Sequence, residues 1–116
     1  MRILAIGDVC GSIGCEYVRK VLPTLKREKH IDMVIINGEN SADGNGVTPQ
    51  SADYLFAVGA DVLTGGNHSF RRSEVYDYLD NNNFCLRPHN LKDAENGKGY
   101  CICDFGRTQV GVRLFT

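Results

Sequence analysis

The chain has 116 residues, with 42% hydrophobic, 23% charged and a formal net charge of −1. That length suits one domain, spanning 1–116, with a core of moderate size. No run of Lys or Arg suggests capture of long nucleic acid or of an anionic membrane, and no apolar stretch approaches the about 18 residues that a spanning helix needs.

RILAIG (2–7) is apolar and β-branched enough for a buried first strand, and it is read as a strand rather than as a signal peptide. It runs into the glycine-rich turn GDVCGSIG. Residues 15–28 then place Val18, Val21, Leu22 and Leu25 on one helical face. Pro23 lies inside this pattern, so a kink or an early break is expected there. DMVIIN (32–37) is a second buried strand. After a long polar loop, Thr48 has the chemistry of an N-cap, with Pro49 at the first helical position. Ala52, Leu55, Phe56 and Val58 give this second helix its inner face, and Gly59 suits its C-terminal end. DVLTG (61–65) is a third strand. Ser73 is expected to cap a third helix, EVYDYLD, with Tyr76, Tyr78 and Leu79 as its packing face. FCLR (84–87) is a fourth strand. GYCICDF (99–105) and QVGVRLF (109–115) flank Gly106, Arg107 and Thr108, which predicts a hairpin.

Strand and helix alternate, so the fold class is α/β, with a largely parallel sheet and flanking helices. Such sheets carry ligands at the carboxyl ends of their strands. The unusual polar residues fall there: Asp8 after the first strand, Glu39 and Asn40 after the second, Asn67 and His68 after the third. Gly7, Gly11 and Gly14 lack the G-x-G-x-x-G spacing, and no Lys-Ser/Thr pair follows, so neither dinucleotide nor P-loop chemistry fits. Asp8 would also repel a phosphate unless a cation stood between them. Two carboxylates at neighbouring strand ends call for a divalent ion or a shared proton. Asp8 and Glu39 offer anionic oxygens, and Asn40 and Asn67 offer amide oxygens. Paired ions about 3.5–4 Å apart are a recurring device for phosphoester hydrolysis. His68 has the chemistry of a general acid, or equally of a metal ligand.

GDVCGSIG, NGEN and GGNH resemble the three N-terminal motifs of calcineurin-like metallophosphoesterases, and the whole pattern is similar to their YmdB-like branch. TPQSADYLFAVGADVLTGGNH and LRPHN are also in register, so the resemblance runs from Met1 to Thr116. It implies the N-terminal half of a metallophosphoesterase β-sandwich with helices on the outside. It further implies two transition-metal ions, commonly iron with manganese or zinc compatible, and hydrolysis of phosphodiesters such as 2',3'-cyclic nucleotides. Residue by residue, it makes Asp8 a ligand to one ion and Glu39 the bridging ligand. Asn40 and Asn67 become further metal positions, and His68 the catalytic acid. Cys10 stands where the wider superfamily has a histidine, which this branch lacks. SFRR (69–72) departs from the usual aromatic-acid pair. Family members are substantially longer, and their second half supplies further histidine ligands and the facing sheet. The chain is accordingly expected to be a fragment or a shortened relative. Its site would then be incomplete and its exposed apolar face would favour a homo-oligomer.

Each of these residues also has a plainer reading. Asp8 and Asn40 suit turns, and His68 suits a buried hydrogen-bonded position. His30 suits a helix C-terminus, His89 a loop, and Arg87 a surface salt bridge. Five cysteines at this spacing fit neither a disulfide framework nor a zinc finger, so reduced thiols in the cytoplasm are expected, with Cys101 and Cys103 buried on one strand face. Two functions from different classes follow: a metal-dependent phosphodiesterase acting on a small phosphodiester, or a non-catalytic binding module or self-assembling fragment that keeps half of the metal site.

Overall fold

A computed structural model describes residues 1–116. Its elements in chain order are β1 (Ile3–Ile6), α1 (Gly11–Lys29), β2 (Met33–Asn37), α2 (Pro49–Val58), β3 (Val62–Thr64), α3 (Val75–Asn81), β4 (Cys85–Leu86), β5 (Tyr100–Asp104) and β6 (Gln109–Arg113). The first four strands form one parallel sheet in the order β1-β2-β3-β4, and β5 and β6 form an antiparallel hairpin.

Side chains alternate across a strand, and here the alternation sorts two cores. Val34, Ile36, Leu63 and Cys85 point to the helical side, where they meet Val18, Leu22, Ala52, Leu55, Val75 and Leu79. Met33, Val62 and Leu86 point the other way, against Cys101 and Cys103 of the hairpin. The helices therefore cover one face of the sheet and the hairpin covers the other. Helices on one face and strands on the other match the half-sandwich with outer helices that the resemblance implies. Loss of Leu22, which is fully buried, would leave a cavity costing about 2–5 kcal/mol.

The first strand is not buried as expected. β1 is a sheet edge, with Leu4 and Ile6 half-buried toward the helices and Ile3 48% exposed on the opposite side. Around the hairpin, Tyr100, Ile102 and Phe115 also leave much of their apolar surface in solvent.

Local chemistry explains most boundaries. α1 begins at Gly11, earlier than the periodicity shows, because Gly11–Gly14 join the helix rather than the turn before it. It also runs through Pro23 without a break. Proline deletes one backbone hydrogen bond and crowds the preceding turn, but Cys15, Val18 and Leu22 anchor the helix along its length. His30 ends it in the left-handed region, its backbone N–H donating to Lys26 O. Thr48 does cap α2: its hydroxyl accepts from Ser51 N–H, and the Ser51 hydroxyl answers the Thr48 N–H, a capping box beside Pro49. Ser73 does not cap α3. That helix starts at Val75 with Glu74 before it and no side-chain cap, and its buried residues are Val75 and Leu79, with Tyr76 exposed against the Phe70 ring edge. The hairpin turn closes through Phe105 N–H to Thr108 O, with Gly106 at φ 87°. Arg87 forms no salt bridge. Its guanidinium donates to the backbone oxygens of Asn96, Pro88 and His89.

None of the five cysteines is paired. Burial pushes the Cys85 thiol up to about 12 and the Cys101 thiol up to about 11, and it raises Cys15 and Cys103 as well. These four stay protonated and shielded at neutral pH, whereas Cys10 is exposed. A thiol-reactive chromophore at pH 7.5 is expected to label one cysteine in the native protein and all five after denaturation. Thr48→Ala removes the side-chain half of the capping box and is expected to lower stability by about 1 kcal/mol in urea titrations.

Candidate metal centre

Parallel pairing brings three strand ends to one rim. Ile6 pairs with Ile36, and Asn37 pairs with Thr64, so the loops after β1, β2 and β3 leave the sheet side by side. Backbone bonds extend this beyond the strands: Val9 N–H donates to Asn37 O at 3.1 Å, Gly11 N–H to Asn40 O at 2.9 Å, and Gly38 N–H to Thr64 O at 3.0 Å.

Asp8 precedes the first two of those donors, exposed, with φ at 38°. Positive φ is uncommon outside glycine and is tolerated best by Asp and Asn. The strained backbone turns this carboxylate out of the strand, just ahead of the N-terminus of α1, where the helix dipole favours negative charge. Asn40 Nδ2 donates to Asp8 Oδ1 at 2.7 Å. The other end of the same carboxamide, Oδ1, lies 2.6 Å from His68 Nδ1. A carboxylate only accepts, so the amide must turn its NH2 toward Asp8. Its oxygen then takes the Nδ1 proton of His68, and Nε2 is left for another partner.

Glu39 is held from the next loop. Its Oε2 accepts the His68 backbone N–H at 3.1 Å, and its Oε1 lies 3.4 Å from Asn37 Nδ2. The turn that presents Asn67 and His68 is locked by Ser69, a buried residue whose hydroxyl accepts from Gly66 N–H at 2.9 Å. Asn67 is exposed at its tip. Four of the residues singled out in the sequence, Asp8, Glu39, Asn40 and His68, are thus joined in one hydrogen-bonded set, and Asn67 stands beside them. Sequence reasoning missed Asn37, Gly66 and Ser69. The signal for Asn37 was available: an amide two residues before an acid, at the last position of a strand.

His89 is not part of this set. It lies in the loop after β4 with its ring edge-on to Tyr100 and Phe115. Cys10 faces the loop after β2, its sulfur 3.3 Å from where a Cβ on Gly44 would stand. The site itself is an open rim. A cleft of about 360 Å³, lined among others by Ser12, Glu16, Thr48 and Tyr54, lies next to it and does not include Asp8, Glu39 or His68.

The donor set tests what the rim could hold. Two carboxylates with two amide oxygens are hard ligands, suited to a divalent cation that keeps water in its shell. No three side chains among His, Cys, Asp and Glu converge to hold an ion on their own. The donors present therefore fit a cation by chemical type, with two acids and two amides rather than a full set of ionisable ligands.

Known proteins supply the family. Residues 4–115 match the family described as YmdB-like protein, and the chain belongs to that family. It is 42% identical over 99 residues to the 2',3'-cyclic-nucleotide 2'-phosphodiesterase of Bacillus subtilis (strain 168), covering 85% of this chain and 38% of that one. The crystal structure of a hypothetical protein from Thermus thermophilus superposes with a TM-score of 0.86 at 35% identity, covering 96% of this chain and 43% of the other. The crystal structure of a novel phosphatase from Mycoplasma pneumoniae gives a TM-score of 0.89 at 27% identity, covering 96% and 41%. The chain spans about two fifths of the length of the curated relatives it matches, 38% to 41%. The α/β architecture expected from the sequence is the one these structures share.

Ser69→Ala leaves the buried Gly66 N–H without its acceptor and is expected to cost about 1–3 kcal/mol in urea unfolding.

Proposed function

We propose that this chain forms one wall of the metal site of a phosphodiester hydrolase that acts on a small phosphodiester, of which a 2',3'-cyclic nucleotide is the best candidate. The observation that carries the reading is the joining of Asp8 and Glu39, on separate loops, through Asn40 and His68. Acids on one rim repel one another to the extent that they are near, and a cation bound among them would relieve the repulsion. The activity for which the Bacillus subtilis relative is named supports the substrate class.

Asp8, Glu39, Asn40 and Asn67 would hold the metal, with Glu39 as the ligand shared between ions, the role that the family resemblance implies for it. Iron and manganese suit these oxygen donors. When bound, such ions withdraw charge from phosphoryl oxygens and lower the pKa of bound water. The protein's own part is positional. Asn40 accepts from the His68 Nδ1–H and so aims Nε2 outward; with the ring doubly protonated, Nε2 would carry the second proton and give it to the leaving oxygen, leaving the neutral Nδ1–H ring behind. Four shielded thiols and no disulfide suit a reducing compartment such as the cytoplasm. The exposed apolar side chains around the hairpin suit a second copy of the chain as partner.

A second reading is supported by the lack of three converging His, Cys, Asp or Glu side chains: a binding module without catalysis. One experiment separates the two. The chain is stripped with a chelator, reloaded with Mn²⁺ or Fe²⁺, and assayed with bis-p-nitrophenyl phosphate and 2',3'-cyclic AMP. Hydrolysis is expected only after reloading. Glu39→Ala is expected to lose both metal and activity, and His68→Ala to keep metal while the rate falls about 10²–10⁴-fold. Metal binding with no hydrolysis at any metal concentration favours the binding module. Full metal content and full rate in Glu39→Ala overturn both readings.

A further inference from the structure

The geometry points to Asn37 and Gly66 as the seat of the Glu39 carboxylate, and so as positioning residues for the metal centre. This rests on the reading of Glu39 as a ligand. A glutamate has three side-chain torsions, and a ligand is useful only if they are held before the ion arrives.

Asn37 uses its whole carboxamide on this task. Its Nδ2 faces Glu39 Oε1 at 3.4 Å and Gly65 O at 3.3 Å, while its Oδ1 accepts from Glu39 N–H at 3.4 Å. Each bond is long, but together they fix the Glu39 backbone, one carboxylate oxygen and the next strand's loop to a single amide. Asn37 is itself anchored as the last residue of β2, in register with Thr64.

Gly66 acts by what it lacks. A Cβ at this position would fall on both oxygens and the carboxyl carbon of Glu39, far inside contact distance. Its backbone is not among those with positive φ, so its conformation does not call for glycine. The carboxylate does. Glu39 lies flat against the Gly66 Cα, with Asn37 on one oxygen and the His68 backbone N–H on the other.

The test has two arms. In calorimetric titrations with Mn²⁺ alone, Asn37→Ala is expected to weaken affinity about tenfold. Val110→Ala, in the hairpin opposite Cys103 and at the end of the sheet away from the rim, serves as a control that lowers stability and leaves the Mn²⁺ Kd unchanged. An Asn37→Ala Kd within about twofold of wild type overturns the role of Asn37, that being well below the range of outer-shell losses. In the second arm, melting is followed in chelator. Gly66→Ala is expected to lower Tm or prevent folding, and Glu39→Ala/Gly66→Ala is expected to melt like Glu39→Ala. A double variant that stays as impaired as Gly66→Ala overturns the seat. Should the wild-type chain bind no Mn²⁺, the ligand reading of Glu39 falls, and the metal-free melting arm still decides whether Gly66 is shaped for the carboxylate.

Discussion

Parallel register is the constraint on which everything at the rim depends. Because β1, β2 and β3 run the same way and pair nearly level, their C-terminal ends open onto one edge. No long side chain has to stretch across the molecule to bring the acids together. The strand ladder does it, and the backbone bonds from Val9, Gly11 and Gly38 carry the alignment into the loops. Register in turn is held by alternation. A one-residue slip of β2 would send Val34 and Ile36 from the helical core to the hairpin side. The chemistry of the rim and the packing of the sheet are therefore set by the same hydrogen bonds.

Much of this was legible in the sequence. Short apolar runs separated by helical patterns marked the strands, and the polar residues after each run marked the edge. Thr48 and Pro49 located the start of α2 because capping is local chemistry, and the hairpin was legible because its turn residues are. What sequence could not supply was tertiary. Pro23 reads as a break, yet the buried stripe along α1 keeps the helix whole. Ser73 reads as a cap, yet α3 takes no side-chain cap at all. RILAI reads as buried because its composition matches that of an inner strand, and only the strand order shows it to be an edge.

The site divides along the same line. Asp8, Glu39, Asn40, Asn67 and His68 declare themselves as residue types that are out of place after an apolar strand. Asn37, Gly66 and Ser69 do not, because their contributions are contacts: an amide turned toward an acid, an absent methyl, a hydroxyl under a turn. A glycine in GGNH looks like punctuation until the carboxylate from another loop is seen resting on it.

The position of β1 at the margin of the sheet has a consequence for motion. Every second amide of an outermost strand points away from its single neighbour, with no ladder partner. Solvent hydrogen exchange should therefore be faster along this segment than along the inner strands β2 and β3. Asp8 hangs from the end of that strand, at a strained φ, tied across the rim through its bond to Asn40. A cation gripping Asp8 and Glu39 together would act as a clasp between this edge strand and its neighbour, so its arrival should be felt as slowed exchange along residues 3–6.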